Sequence, residues 1–198
     1  MGSMIGLLSL WGTVLTGKDD GSLRERLRRE TAGAHERVDA LFGACDFGTE
    51  QGYAAFLRAQ AVAWETLRPL LDQGSTARAD ALLRDLDELG LEAPPPLADV
   101  RLPGEATIGH GYVLEGSRLG SAVLLRQLRA KAPALADRAS AYLHESGDTA
   151  GWRLVSTRLQ KSDGACANDE DIIGDALFVF DLFERSWQAV DGVPANIS

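Results

Sequence analysis

The hydrophobic residues of this 198-residue chain recur at intervals of three and four almost throughout. That period places side chains on one face of an α-helix, and no stretch shows the alternation of a half-buried strand or a repeat of fixed length. The chain is also long enough to bury the core of one ordinary domain. We therefore expect an all-α, single-domain protein. The pattern predicts helices over residues 23–42, 50–71, 77–89, 109–126, 133–143, 152–159 and 168–190.

Turn-forming residues separate these predicted helices. Gly43 is expected to end the first helix, and Gly74 with Ser75 to form the turn before the third. The run Pro94–Pro96 cannot continue a helix, because proline lacks a backbone donor and has a fixed φ angle, so it predicts an extended connection. The inward positions of the first two helices are predicted to be Leu23, Leu27, Ala34, Val38, Leu41, Phe56, Ala59, Ala63 and Leu67.

Charge and cysteine usage exclude some functions. The chain carries a formal net charge of -9, and nucleic-acid binders neutralise phosphates with clustered Lys and Arg, so we expect no nucleic-acid partner. A local basic run at residues 24–29 is either a solvated helix face or a docking patch. Cys45 and Cys166 form no metal-binding or disulfide pattern, which favours a reducing, cytoplasmic location.

The N-terminal segment is expected to lie apart from the fold. Its first four residues, MGSM, are typical of an expression-tag remnant. The apolar run that follows, IGLLSLWGTVL, is too short to span a bilayer, so we expect no transmembrane segment. The prediction is a flexible arm over residues 1–20, with an interfacial anchor as the alternative, and a folded domain over residues 21–198.

Two glycines, Gly116 and Gly120, lie one turn apart in the apolar helix predicted over residues 109–126. Each glycine inside a helix costs about 1 kcal/mol relative to alanine, so the pair needs a reason. A flat ligand could lie against the exposed backbone, with Ser117 and Ser121 holding water beside it. The alternative is close packing of a second helix on the same small residues.

His35 is the candidate ligand among the three histidines. It lies on the apolar side of the first helix, and Asp39, one turn further on, can accept the second ring N–H and so orient the imidazole. The alternative is a packed and hydrogen-bonded core histidine. We expect His110 and His144 to serve surface or capping chemistry. No HExxH motif, di-iron carboxylate repeat or Ser/His/Asp arrangement is present in the sequence.

In this order and spacing, four segments resemble the bacterial haem oxygenases. They are TAGAHERVD around His35, YVLEGSRLG at residues 112–120, GW at residues 151–152 and LFERSW at residues 182–187. The resemblance covers about residues 22–190. It implies a helical bundle in which haem lies between a proximal and a distal helix.

The resemblance also implies roles for particular residues. His35 would be the proximal ligand of the haem iron, with Asp39 as its hydrogen-bonding partner. Gly116 and Gly120 would form the distal wall above the iron, and Ser117 occupies a polar position of the family. Some larger relatives have a carboxylate there that orders distal water, and this chain lacks it.

Further positions match family contacts at the edge of the macrocycle. Tyr112 and Phe180 would pack against haem, with ordinary core packing as the alternative for both. Arg28 and Arg126 would bind the haem propionates, and Arg153 is a weaker candidate. Because the residues after the distal helix depart from close relatives, the rotation of haem in its pocket, and hence the biliverdin isomer, stays open.

The implied function is haem-degrading monooxygenation, in which O2 and external electrons convert haem to biliverdin, ferrous iron and carbon monoxide. Haem would be substrate and cofactor together. The basic residues near the proximal edge of haem, including Arg24, Arg28 and Arg29, would receive an acidic ferredoxin or a flavin reductase. Haem degradation would serve iron acquisition or supply biliverdin to a bacterial phytochrome. The alternatives are a haem-binding carrier or sensor of the same fold that does not turn haem over, and a helical interaction protein without haem.

Overall fold

The computed structural model describes residues 21–161 and 168–191. Over these ranges it contains nine α-helices and no β-strand, which confirms the all-α fold. The predicted arm at residues 1–20 and Cys166 lie outside the described residues. The helices are α1 (Leu23–Gly43), α2 (Glu50–Leu67), α3 (Gln73–Glu88), α4 (Ile108–Gly116), α5 (Arg118–Lys131), α6 (Pro133–Arg138), α7 (Ala141–Glu145), α8 (Ala150–Lys161) and α9 (Asp169–Asp191). In this part of the chain, none of them is long and apolar enough to cross a membrane.

Side-chain caps set where the early helices begin. The Ser22 hydroxyl accepts a hydrogen bond from the Glu25 N–H (3.3 Å) at the start of α1. The Asp72 carboxylate accepts from the Ser75 N–H (2.8 Å), so α3 begins at Gln73. The prediction of a turn at Gly74 and Ser75 was therefore wrong, because both residues belong to the first turn of α3.

Two predicted helices are interrupted. The helix expected over residues 50–71 ends at Leu67 and continues as a single 3-10 turn over Arg68–Leu70, because Pro69 has no N–H to donate to the preceding turn. The helix expected over residues 133–143 is divided into α6 and α7. There the Asp85 carboxylate accepts the N–H groups of Ala141 (2.8 Å) and Tyr142 (2.9 Å) and starts a separate helix.

Helix α9 lies at the centre of the packing and contacts α1, α2 and α4. Arg26 pairs with Glu170 (2.6 Å) and Arg37 pairs with Glu184 (3.1 Å), so α1 and α9 run side by side in the same direction. The predicted inward residues of α2 are buried, as are those in the first half of α1, whereas Val38 and Leu41 are half-buried. The extended connection at residues 91–97 is also confirmed.

The start of α4 approaches α9 closely. Thr107 caps α4 by accepting the Gly109 N–H (3.1 Å), and the buried His110 ring accepts the Thr107 N–H (3.1 Å), which confirms a capping role for this histidine. A Cβ atom at Gly109 would overlap the Ile172 carbonyl oxygen of α9. Glycine at this position therefore fixes how near α4 lies to α9.

We expect Gly109→Ala to lower the free energy of unfolding by about 2–3 kcal/mol, because backbone cannot move aside as easily as a side chain. Gly33→Ala is the matched control, since this exposed α1 position has its nearest atom, Arg37 Nη1, at 3.9 Å. Alanine there should raise the free energy of unfolding by about 0.5–1 kcal/mol. Urea unfolding followed by circular dichroism measures both, and equal effects of the two substitutions would contradict the close approach.

Candidate functional site

His35, Asp39 and Phe180 come together between α1 and α9. The His35 side chain is 19% exposed, and its Nδ1 lies 3.3 Å from the Asp39 carboxylate. Phe180 presents its ring to the imidazole in an edge contact, with the ring centroids 5.7 Å apart. Three of the predicted site residues therefore form one cluster around the imidazole.

Burial controls the protonation of this cluster. It lowers the pKa of His35 to about 4 and raises the pKa of Asp39 to about 6. At pH 7 the imidazole is therefore neutral and Asp39 is largely ionised. A proton on Nδ1 can be donated to Asp39, which leaves the lone pair on Nε2, the form in which histidine binds a metal.

Tyr112 of α4 lies near this cluster. Its buried side chain is close to Thr31, which lies one helical turn before His35 and donates its hydroxyl to the Leu27 carbonyl oxygen (2.7 Å). Burial raises the pKa of the Tyr112 phenol, whereas the side-chain interaction with Thr31 and the nearby Arg24 and Arg28 lower it. The Tyr112 ring also packs on Trp152 of α8, with the ring centroids 5.9 Å apart.

Cations flank Tyr112 on the same end of α1. Arg28 directs its guanidinium to Glu25, with Nε 3.0 Å from Oε2. Arg24 is half-buried, and its Nε is buried with no hydrogen-bond partner among the described residues. From the sequence we expected Arg24 only to dock an electron donor. A hydrophobic pattern cannot show that one atom of a half-exposed arginine is buried. Arg126 and Arg153 are exposed on α5 and α8, and their roles remain predictions.

The glycine-bearing helix is not continuous. It breaks at Ser117 between α4 and α5, and the Gly120 N–H bonds the Ser117 carbonyl oxygen (3.2 Å), a three-residue step instead of the four of an α-helix. The prediction of one helix over residues 109–126 was therefore wrong. Gly116 is buried at the end of α4, and Gly120 is half-buried in the first turn of α5. The break gives the two glycines different surroundings.

Arg78 was missed by sequence reasoning. It is fully buried, and its guanidinium lies 4.7 Å from the centroid of the Trp64 ring. It donates to the Leu114 carbonyl oxygen (2.7 Å) and the Ser117 hydroxyl (3.0 Å), both at the break. One signal could have found it: Arg78 lies four residues before Leu82 and so falls on the inward face of α3.

The glutamate of the EGSRLG segment is also held by buried partners. Glu115 pairs with the Nε of Arg118 (2.8 Å), and both side chains are about one-tenth exposed or less. A Cβ atom at Gly151 would overlap the Glu115 carboxylate. Two of the segments that carry the resemblance, EGSRLG and GW, therefore meet in space, and Gly151 is small because Glu115 occupies the adjoining volume.

These surroundings suit a planar, anionic, metal-containing ligand. His35 offers one neutral nitrogen beside an aromatic edge, and Tyr112, Arg24 and Arg28 supply hydrogen-bond donors and positive charge one to three turns away. Within the described residues, no group of three or more His, Cys, Asp or Glu side chains could hold a metal ion. A metal at His35 would therefore need to bring most of its own ligands, as iron does in haem.

Comparison with known proteins gives matches over most of the chain. Heme oxygenase PigA of Pseudomonas aeruginosa is 31% identical over 180 residues, which is 81% of this chain and 87% of that protein. A heme oxygenase of Xanthomonas campestris pv. campestris is 34% identical over 110 residues, so the match spans 54% of this chain and 64%, just under two thirds, of that relative. No protein-family model matches the chain.

A solved structure has the same arrangement of helices. The crystal structure of the NO- and CO-bound heme oxygenase from Neisseria meningitidis has a TM-score of 0.63 and 26% sequence identity, over 88% of this chain and 94% of that one. The fold and the sequence matches together therefore define an all-α protein of the haem oxygenase class. The chain belongs to the haem oxygenase family.

The opposed pKa shifts of His35 and Asp39 predict how stability changes with pH. Between pH 6.5 and about 4 the unfolded histidine binds a proton that folded His35 does not, so His35 makes stability fall as the pH falls. Between about pH 6 and 3.8 folded Asp39 binds a proton that the unfolded carboxylate does not, so Asp39 makes stability rise over that window as the pH falls.

In the wild-type protein these two effects largely offset each other. Asp39→Asn removes the stabilising effect of Asp39 protonation. From pH 6.5 to pH 4 the free energy of unfolding of this variant should therefore fall by about 1–3 kcal/mol more than that of the wild type. Urea unfolding at each pH measures this difference. The control is Asp181→Asn, because the Asp181 side chain is 63% exposed. Parallel curves for wild type and Asp39→Asn would contradict the pKa shifts.

Proposed function

We propose that this haem oxygenase binds haem between α1 and the α4–α5 segment and that His35 would hold its iron. The observation that carries the proposal is the neutral His35 imidazole, oriented by Asp39 at 3.3 Å and bordered by the Phe180 ring. Bound haem would supply the iron that activates O2 and would itself be the substrate, opened to biliverdin, ferrous iron and carbon monoxide with O2 and with electrons from an external donor. Membership of the haem oxygenase family supports the same reaction.

The distal residues act through the shape of the backbone. Gly116 and Gly120 have no side chain to keep a flat ligand away, so the backbone there would lie close to bound haem and leave room only for a small second ligand such as O2. The Ser117 hydroxyl donates to the Leu114 carbonyl oxygen (2.7 Å) and accepts from Arg78 (3.0 Å). Its proton is thus already engaged, and we assign Ser117 to holding the wall in place.

The haem propionates fit the cationic end of α1. Arg24 and Arg28 lie near the Tyr112 phenol, and these three groups together can donate several hydrogen bonds to two carboxylates. Propionates there would direct the rest of the macrocycle along α1 toward His35, which lies seven residues beyond Arg28.

The exposed part of the same end of α1 supports docking of an electron donor. Arg29, 54% exposed, lies beside Arg28, and the two offer positive charge to an acidic ferredoxin or a flavin reductase. Iron acquisition and supply of biliverdin to a bacterial phytochrome are both compatible uses of the products. A cytoplasmic location accords with the absence of a disulfide pattern in the sequence.

Aerobic turnover tests the proposal. Purified protein should bind hemin with a saturable 1:1 Soret spectrum and, given ascorbate or a ferredoxin system with catalase present, lose that band while a biliverdin band appears. Catalase removes the route through free peroxide. A stable Soret band would overturn turnover in favour of a haem carrier or sensor, and the lack of saturable binding would overturn both functions.

Propionate binding is tested by Arg28→Gln. We expect hemin affinity to fall about threefold to tenfold, the effect of losing one partly exposed charge-assisted contact. Arg29→Gln is the matched control on the neighbouring exposed position and should bind hemin like the wild type.

Hemin dimethyl ester has no propionate charges and gives the second comparison. Wild type and Arg28→Gln should bind this ester equally well if Arg28 acts on the propionates. An equal loss of affinity for hemin and for the ester would show that Arg28 supports the fold of α1 instead. Fluorescence quenching of the tryptophans measures the affinity of each protein for hemin and for the ester.

A further inference from the structure

The break between α4 and α5 is accompanied by side-chain bonds to the backbone. The Leu114 carbonyl oxygen accepts hydrogen bonds from the Ser117 hydroxyl (2.7 Å) and from Arg78 Nη1 (2.7 Å). Side chains that bond the carbonyls of a helix compete with its own N–H groups and bend or break it. The break thus has an identifiable cause in these two side chains.

Arg78 projects from α3, and its guanidinium bonds residues at the break. A second nitrogen, Nη2, donates to the Ser117 hydroxyl (3.0 Å), and Nε donates to the Ser146 hydroxyl beyond α7 (3.0 Å). One rigid guanidinium therefore joins the last turn of α4 and the break at Ser117 to the turn that follows α7. A lysine could not reproduce these three directions, because its ammonium is a single point of donation.

Burial of this cation is costly and needs compensation. Arg78 is 0% exposed, and no carboxylate among the described residues forms an ion pair with it. Its charge faces the rings of Trp64 (4.7 Å) and Tyr142 (5.7 Å). The neutral oxygens of Leu114, Ser117 and Ser146 surround its donors, and a cation also suits the negative C-terminal end of α4.

We propose that Arg78 is a positioning residue that holds the break at Ser117 and so sets where Gly116 and Gly120 lie in the distal wall. This inference rests on the proposed function only in its second half, the effect on bound haem. Its first half concerns the protein alone. Arg78 acts on the ligand through the backbone, since its donors are directed to Leu114, Ser117 and Ser146.

The first experiment measures hydrogen exchange of the amides in residues 113–121 without haem. In Arg78→Lys these amides should exchange about tenfold to hundredfold faster than in the wild type, as expected for loss of charge-assisted hydrogen bonds. Arg84→Lys is the matched control, because Arg84 lies on the same helix but is exposed. Exchange in Arg78→Lys equal to that in Arg84→Lys would overturn the proposal.

Ser117→Ala provides a second variant that also serves if Arg78→Lys fails to fold. It removes the Nη2 contact and the bond from the Ser117 hydroxyl to the Leu114 carbonyl oxygen, and it leaves the bond from Arg78 to that oxygen. Exchange in residues 113–121 should therefore rise above that of the wild type and, where Arg78→Lys folds, by less than in that variant. In the double variant the effects should be less than additive, because both substitutions break the same contact. Unchanged exchange in Ser117→Ala, or full additivity, would overturn the proposal.

The second experiment uses the carbon monoxide complex of ferrous haem. The carbon–oxygen stretching frequency reports the distal surroundings, so Arg78→Lys should shift or broaden this band whereas Arg84→Lys should not. A residue that only stabilised the fold would lower the melting temperature and leave the band unchanged, and that result would overturn the second half. If the wild type fails to bind haem, the proposed function falls, while the exchange data still decide the first half.

Discussion

Partial burial of His35 beside Asp39 is the constraint on which the site depends. Burial keeps the imidazole neutral, and Asp39 fixes which nitrogen carries the lone pair. This arrangement depends on how α1 is held. Ion pairs and Phe180 join α1 to α9, and α1 also packs against α8. We propose that this packing leaves one imidazole nitrogen for a metal.

Buried polar groups fix the backbone around Ser117, between α4 and α5. Arg78 bonds the backbone at Ser117, and the pair of Glu115 with Arg118 occupies the volume beside Gly151. Buried charges with satisfied hydrogen bonds contribute little net stability but strongly penalise other arrangements. We therefore regard the break in the distal segment as a specified feature of the fold. It gives Gly116 and Gly120 separate environments within one short stretch.

Local pattern was sufficient for the two longest helices and for the pairing of His35 with Asp39. The period of three and four residues predicted α1 and α9 to within a residue or so, and it placed His35 and Asp39 on one face. The grouping with Phe180 came from the resemblance to haem oxygenases. What the sequence did not reveal depends on contacts between distant segments. The break at Ser117 needs Arg78 from another helix, and the separation of α6 from α7 needs Asp85.

Resonance Raman spectroscopy of the ferrous haem complex detects the iron–histidine stretching vibration and so identifies the residue that binds the iron. We expect this band in the wild type, in His110→Gln and in His144→Gln. In His35→Gly the band should be lost, and it should return when imidazole is added to fill the space. Persistence of the unaltered band in His35→Gly without imidazole would show that another residue binds the iron, and it would contradict the account.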